Sequence, residues 1–260
     1  MMRFCSLGSG SSGNATLIEH RGMGRTTRVL VDCGFSLREL TRRLQRRGVL
    51  PDEIDALFVT HEHSDHVGCA LALRRRHGVA LWTSEGTWRS MRGSEAAPAP
   101  ARFARHGEPI DVGGLQVNPF AVPHDAAQPL QLVCGDGARR LGVLTDLGET
   151  PPEVAAALHA CDALLLETNH DAQMLAQGPY PTYLKRRVGG ARGHLANAQS
   201  ARLLAAIAHD GLRHVVAAHL SRQNNRPELA AAALAGALGA AADMIVIADA
   251  VTGSPWLDLG

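Results

Sequence analysis

Five apolar runs rich in β-forming residues each end in an aspartate or a histidine. The side chains at these ends are Asp32, His61, His124, Asp146 and His219. A polar residue after one strand is commonly a turn residue, but five such strand ends in one chain are hard to attribute to chance. The pattern favours a sandwich of sheets with a metal site on its rim, because aspartate and histidine are the donors that divalent metals take up.

The second run, IDALFV, is followed by THEHSDHVG, which places His61, His63, Asp65 and His66 within six positions. The zincin motif needs histidines four apart on a helix, and Asp65 occupies that fourth position here. On an extended segment, residues two apart point to the same side, which groups His61 with His63. Asp65 and His66 follow where the chain turns, and they can face a second point. Two such points favour two divalent ions over one.

The order of elements predicts a layered α/β fold of the α+β type. Short amino-terminal strands lead to a helix over 36–48 and to the buried run before the histidine cluster, and strands return from residue 115. An Ala-rich helix is expected over 229–242, and a loop over 97–102. Two batches of strands, each followed by helices, predict a four-layer αββα sandwich. One domain over 1–260 is expected.

Composition excludes several classes of protein. The 26 basic and 25 acidic residues nearly balance, so the overall charge indicates neither nucleic-acid nor membrane binding. Five scattered cysteines without a CxxC pair favour neither a disulfide framework nor a thiolate zinc site. The first residues lack the apolar core of a signal peptide, and the longest uncharged stretch is too short to span a bilayer. We expect a cytoplasmic protein without membrane association or an obligate protein partner.

The sequence GSGSSG at 8–13 matches the glycine pattern of dinucleotide-binding loops. Those loops need a helix after the last glycine, because the helix N-terminus holds the pyrophosphate. Here NATLIE follows, which is rich in β-formers. A tight turn between strands is therefore expected, and nucleotide binding is not.

Together these positions resemble the signature of the metallo-β-lactamase superfamily. That signature is an aspartate after an early strand, then H-x-H-x-D-H, then a histidine, an aspartate and a histidine at successive strand ends, and every place is filled. The resemblance implies a metallo-β-lactamase fold and two metal ions that hold a nucleophilic hydroxide. The implied ligands are His61, His63 and His124 for one ion, Asp65, His66 and His219 for the other, and Asp146 for both. Asp65 is also a candidate catalytic residue, and Asp32 is implied to support the ligand loop.

Further stretches narrow the resemblance within the superfamily. Asp146 stands where lactamases often have a cysteine, which favours phosphodiesterases and thioesterases. Four segments resemble the YycJ/WalJ-like group of bacterial exonucleases, namely SLGSGSSGNATLIE (6–19), LLLETNHD (164–171), GHLAN (193–197) and HLSRQNN (219–225). This implies a nuclease acting on the ends of DNA or RNA.

An acid-and-histidine pair precedes the last implied ligand, as in ribonuclease Z, a phosphodiesterase of the same fold. Glu167 and His194 fill similar places here. His194 is a candidate proton donor to the leaving oxygen, with Glu167 holding it. The alternative is that His194 is only a residue at the start of a helix, beside Asn197. His170 is a further ligand candidate, although Asp171 beside it equally favours a surface turn.

A nuclease needs a basic surface, and basic residues cluster at 42–48, 74–76 and 183–194. Only the last run lies beside the candidate catalytic pair, and the other two are interpreted as solvated helix faces. The candidate substrate-binding residues, from this run and the polar stretches near it, are Lys185, Arg186, Arg187, Arg192, Asn197, Ser221 and Asn224.

Three functions stay open. A dinuclear-metal phosphodiesterase or exonuclease is favoured, and a thioesterase or lactonase of the same fold shares its metal core. A non-enzymatic metal-binding regulator is disfavoured, because no ligand position is missing. The donors favour zinc, with manganese and iron as alternatives.

Overall fold

The computed structural model describes residues 1–22, 24–92 and 101–260, except for the side chain of Arg92. Within them, the chain forms two mixed sheets of seven strands with an apolar cluster between them and helices on their outer sides. The expected four-layer αββα sandwich is confirmed. None of the helices in this part of the chain is both long and apolar enough to cross a membrane. The loop expected over 97–102 lies outside the described residues, apart from its last two.

The first sheet is built mainly from the amino-terminal third of the chain. In spatial order its strands are β14 (Leu257–Asp258), β1 (Met2–Gly8), β2 (Ala15–Gly22), β3 (Arg25–Val31), β4 (Ala56–Phe58), β5 (Ala80–Thr83) and β6 (Arg102–Phe103). The strands β1, β2 and β3 are antiparallel neighbours, whereas β3 to β6 run parallel. The carboxyl ends of β3 and β4 therefore lie side by side.

The second sheet repeats this arrangement. In spatial order its strands are β13 (Ile245–Ile247), β12 (His214–Ala218), β11 (Ala163–Glu167), β10 (Arg140–Leu144), β9 (Leu130–Gly135), β8 (Leu115–Ala121) and β7 (Ile110–Val112). The strands β10 to β13 are parallel, and both β8 and β10 run antiparallel to β9. The carboxyl ends of β8, β10, β11 and β12 therefore share one edge of the sheet.

Helices cover the outer face of each sheet. In chain order they are α1 (Leu37–Gln45), α2 (Ser64–Val67), α3 (Ala70–His77), α4 (Glu85–Arg92), α5 (Pro152–Leu158), α6 (Ala172–Gln177), α7 (Thr182–Val188), α8 (Asn197–Ile207) and α9 (Pro227–Leu238), with 3₁₀ turns at Pro51–Glu53 and Ala242–Met244. The buried side chains of α1 and α3 pack on the first sheet, and those of α5, α8 and α9 on the second. Each sheet is thus apolar on both faces.

The helix signals in the sequence place two helices well but overestimate their length. Ser36 caps α1 by accepting a hydrogen bond from Glu39 N at 3.3 Å, as expected, yet the helix ends at Gln45 rather than 48. The Ala-rich helix α9 spans Pro227–Leu238 rather than 229–242. It ends where Gly239 adopts a left-handed backbone with φ of 62°, which closes a helix at its carboxyl end.

Three polar residues, which follow the strands β3, β10 and β12, adopt the left-handed backbone conformation. They are Asp32 (φ 60°), Asp146 (φ 56°) and His219 (φ 55°), and Ala160 is the one other such non-glycine residue in the described part of the chain. This conformation is unfavourable by roughly 1–3 kcal/mol for residues with a side chain, and it is concentrated at functional sites. The strained strand ends therefore mark one edge of the sandwich.

Candidate dinuclear metal centre

Three histidines form the first group of candidate ligands. His61 and His63 follow β4 in the first sheet, and His124 follows β8 in the second. One donor nitrogen of each lies within 4.8 Å of the others, and His63 Nδ1 is 3.3 Å from His124 Nε2. The rings of His61 and His63 are 4.5 Å apart between centroids, so the two-residue spacing places them on the same side.

A second group lies beside the first. Asp65, His66 and His219 each contribute a donor atom within 4.8 Å of the others, and His219 Nε2 is 3.5 Å from Asp65 Oδ2. Asp146 lies between the groups, with its Oδ2 2.9 Å from His66 Nε2 and its Oδ1 4.0 Å from His124 Nε2. The fold therefore brings all seven expected ligands together from both sheets.

The donor atoms in this cluster fit divalent metal ions. His61 Nε2 is buried and has no hydrogen-bond partner among the residues that the structure describes. Leaving such an atom unpaired is unfavourable by about 1–3 kcal/mol, which a bound ligand would relieve. Burial and the neighbouring His66 hold the pKa of His61 well below its usual value, which keeps its lone pair available. Imidazole and carboxylate donors are those preferred by borderline divalent metals.

Asp32 and Thr60 orient the ligand segment. Asp32 Oδ2 lies 2.8 Å from His66 Nδ1, and Asp32 Oδ1 accepts a hydrogen bond from Thr60 N at 2.8 Å. Thr60 Oγ1 in turn lies 3.0 Å from His61 Nδ1. Both histidines therefore have Nδ1 occupied and Nε2 left for a metal. Asp32 was expected here from the sequence, whereas Thr60 was missed, its position next to His61 being the one available signal.

The glycine-rich segment 8–13 is a turn between strands, as expected, since β2 follows it, and it also supports the centre. Asn14 Nδ2 lies 3.2 Å from Asp65 Oδ2. Ser9 Oγ accepts a hydrogen bond from His219 N at 2.8 Å. Neither residue was predicted from the sequence, because serine and asparagine are common in turns and carry no signal of a distant partner.

Gly34 lets the two supporting segments approach each other closely. A Cβ atom at this position would lie 1.7 Å from the backbone oxygen of Asp65 and 2.9 Å from Asn14 N. Gly34 N also donates a hydrogen bond to Asn14 O at 2.9 Å. Any side chain here would displace the segment that carries Asp65.

Glu167 ends β11 and lies fully buried between the ends of β10 and β12. Its Oε1 is 2.8 Å from His194 Nδ1 and 3.1 Å from His219 Nδ1. Its Oε2 accepts hydrogen bonds from Leu147 N and Leu195 N, both at 3.1 Å. Burial raises the pKa of the Glu167 carboxyl, but His194 and the hydrogen bonds outweigh it and lower the pKa to about 2. Glu167 is therefore ionised and holds two histidines.

His194 lies beside the candidate ligands with 22% of its side chain exposed. Its Nδ1 is 3.4 Å from Asp146 Oδ1. Burial lowers the pKa of His194, but the Glu167 carboxylate outweighs it, so the pKa is raised. A protonated imidazole that reaches solvent can donate a proton to a substrate. His194 also forms a group with Asp146, Glu167 and His219 whose donors lie within 4.8 Å of one another, so metal binding is its alternative role.

A cleft of about 380 Å³ opens over the cluster. Ligand-bearing loops and the segment 180–194 both line it. Of the four basic residues expected to contact phosphate, Arg187 alone is among the lining residues, and its Nε lies 2.6 Å from Asp125 Oδ2.

The other three basic residues are directed elsewhere. Lys185 Nζ donates a hydrogen bond to Ala176 O at 2.6 Å. Arg192 donates two hydrogen bonds, of 3.1 and 2.9 Å, to the carbonyl oxygen of His124, so it supports a candidate ligand. Arg186 is exposed and does not line the cleft.

Three polar residues expected to bind substrate have internal partners, and His170 lies apart from the centre. Asn197 is buried and exchanges hydrogen bonds of 2.9 and 2.8 Å with Asn225. Ser221 Oγ accepts a hydrogen bond from the fully buried Asn224. None of the three lines the cleft.

His170 is buried in an isolated β-bridge and joins none of the groups of candidate ligands found in the described chain.

Residues 27–220 match the family model described as a β-lactamase superfamily domain. The chain belongs to the β-lactamase superfamily. It is 32% identical over 232 residues to the exodeoxyribonuclease WalJ of Streptococcus pneumoniae serotype 2, covering 88% of this chain and 85% of that protein. It is also 32% identical over 231 residues to the exodeoxyribonuclease YycJ of Bacillus anthracis, covering 88% and 86%.

The structure agrees with this membership. It is similar to the metallo-β-lactamase fold protein YhfI of Bacillus subtilis, with a TM-score of 0.74, 14% sequence identity and 98% of each chain covered. The superfamily resemblance and the resemblance to the YycJ/WalJ group are thereby confirmed, as is the metallo-β-lactamase fold. As a superfamily member with converging histidine and aspartate donors, the chain is a metal-dependent hydrolase that uses divalent ions.

Proposed function

We propose that this chain is a dinuclear-metal phosphodiesterase that removes nucleotides from the ends of DNA, with RNA as the alternative polymer. The observation that carries this is its identity of 32%, over 88% of its length, to two exodeoxyribonucleases. The match covers 85% and 86% of those two proteins. An aspartate at the bridging position and an acid-and-histidine pair beside it support the same reaction type.

The proposed ligands are His61, His63 and His124 for one ion, Asp65, His66 and His219 for the other, and Asp146 for both. When bound, two such ions lower the pKa of a water nucleophile and stabilise the charge that develops on phosphoryl oxygens. Zinc is the proposed metal because imidazole donors predominate, with manganese and iron as alternatives. Asp65 also lines the cleft, where its carboxylate can accept a hydrogen bond from the attacking water.

His194 is the proposed proton donor to the leaving oxygen. Glu167 engages its Nδ1, which leaves Nε2 for the substrate. Because Glu167 is anchored by two backbone N–H groups, the imidazole is held in one orientation. This supports general acid catalysis of P–O cleavage, where the leaving alkoxide needs a proton.

Arg187 is the proposed phosphate contact. It lines the cleft, its side chain is 61% exposed, and its present partner Asp125 is 29% exposed. A backbone phosphate can therefore approach the guanidinium from solvent. The near-neutral total charge then matters less than the placement of one arginine beside the ligands.

The test is cleavage of end-labelled single- and double-stranded oligonucleotides by purified protein reconstituted with zinc or manganese. We expect mononucleotides or short products released from one end, with metal content measured on the same preparation. Rapid hydrolysis of an acyl thioester or a lactone without oligonucleotide cleavage would instead assign a small-molecule hydrolase. Absence of cleavage by fully metallated protein would refute the nuclease function and leave the metal centre standing.

A further inference from the structure

Part of the cleft wall is apolar. Tyr180, Leu184 and Val188 line the cleft together with candidate ligands. Leu184 and Val188 are four residues apart on α7, which places them on one face of the helix, and Tyr180 lies two residues before its first residue. All three are half-buried, and α7 has no fully buried residue in the described structure. The apolar stripe of α7 therefore borders the cleft without joining any of the three core clusters.

The backbone of Tyr180, at the start of this stripe, is restricted by its neighbours in the sequence. It stands between Pro179 and Pro181, and a residue before proline is restricted to extended backbone conformations. Pro181 itself, with φ of −64° and ψ of 155°, precedes the first turn of α7. The Tyr180 hydroxyl makes no hydrogen bond to any residue that the structure describes. The backbone that carries the ring therefore has little conformational entropy left to lose on binding.

We propose that Tyr180, with Leu184 and Val188, forms a subsite that stacks one nucleobase of the DNA strand next to the cleaved phosphate. This subsite rests on the proposed function. A nucleobase is a flat π-system that stacks on aromatic rings, and the stacking tolerates any base. Arg187 lies on the same helix beside Val188 and also lines the cleft, so base and phosphate would be held by one element. Such a contact suits an exonuclease that acts on any sequence, because every base has a π-face.

Three variants separate the ring from its surroundings. Tyr180→Ala removes the ring, Tyr180→Phe keeps it without the hydroxyl, and Tyr183→Ala is the matched control. Tyr183 is the other tyrosine of the chain, three residues away, 73% exposed and not part of the cleft lining. Each variant is compared with wild type on metallated protein, with circular dichroism and metal content as checks that the fold and the centre persist.

The substrates are end-labelled oligonucleotides, either intact or with one abasic residue placed at each of the first positions from either end. On the intact strand, Tyr180→Ala should lower kcat/KM by about 5- to 150-fold, the range that base–aromatic stacking accounts for. Tyr180→Phe and Tyr183→Ala should retain wild-type rates. At one abasic position, wild type should lose a similar factor, and Tyr180→Ala should lose nothing more.

Several results would overturn the subsite. If Tyr180→Phe loses as much as Tyr180→Ala, the hydroxyl and not the ring makes the contact. If Tyr180→Ala loses the same factor on intact and abasic strands, the ring contacts something other than a base. Wild type that cleaves DNA but is indifferent to every abasic position refutes the subsite alone. Wild type that cleaves no DNA but hydrolyses a long-chain acyl thioester refutes the proposed function as well, and assigns the stripe to an acyl chain.

Discussion

Replacement of His194 by alanine removes the proposed proton donor and leaves the seven proposed ligands in place. General acid catalysis contributes ~10²–10⁴-fold to the rate, which corresponds to about 2.7–5.4 kcal/mol of activation free energy. The folded state should survive. Glu167 loses one partner at 2.8 Å, a bond worth about 1.5–3 kcal/mol, but it keeps His219 and the N–H groups of Leu147 and Leu195.

The leaving group makes this prediction specific. An oligonucleotide releases an alkoxide that needs a proton, so kcat on this substrate should fall by the full factor. A 4-nitrophenyl phosphodiester releases a phenolate that is stable without one, so its hydrolysis should fall far less. His159→Ala, at an exposed position after α5, is the matched control and should behave as wild type. Metal content of each variant is measured by elemental analysis.

Two results would refute the reasoning. Loss of a metal ion from the His194→Ala protein would make His194 a ligand, as its proximity to Asp146 and His219 allows. An equal loss on both substrates, with both ions retained, would show that His194 positions the substrate and donates no proton.

Further predictions address the centre and its surroundings. Asp146→Ala should lower metal content more than any other single ligand replacement, because a bridging carboxylate serves both ions, and elemental analysis showing undiminished content would exclude the bridge. Arg187→Ala should flatten the slope of log K against log salt for single strands by ~0.7 per lost phosphate contact, whereas Arg75→Ala, on the exposed end of α3, should leave the slope unchanged. Gly34→Ala should lower the melting temperature and abolish metal binding together, because its Cβ would meet the Asp65 carbonyl; a stable, fully metallated variant would contradict the packing.

The residues around the centre divide according to how far apart in sequence their partners are. Asp32 and the histidines were predictable from local sequence. Each either follows a strand or lies close to another ligand, at a spacing that shows which way its side chain points. The support from Ser9 to His219 joins residues 210 positions apart, and the contact of Asn14 with Asp65 joins residues 51 apart. No local pattern reports such pairs.

The predicted substrate contacts show the same division. Basic and polar residues near the catalytic pair were expected to meet the substrate, but Arg192 bonds to the carbonyl oxygen of His124, and Asn197 pairs with Asn225 inside the fold. Side-chain type indicates what a residue can bind, whereas its orientation depends on packing. Conversely, the sequence analysis did not identify Tyr180 as a cleft residue, because a single tyrosine among turn residues does not show that a cleft lies beside it.

The amino-acid sequence by itself determined the layered fold class and the set of seven candidate ligands. Strand ends and two-residue spacing are local properties of the chain, so they can be predicted without knowing which strands pair. The sequence predicted that Glu167 holds His194, and tertiary structure alone decided that Glu167 also contacts His219. The parallel order β10–β11–β12 places the end of β11 between its neighbours, and strand order is set by long-range pairing rather than by local sequence. It also decided which basic residue faces the cleft, because α7 can present only one side of its surface there.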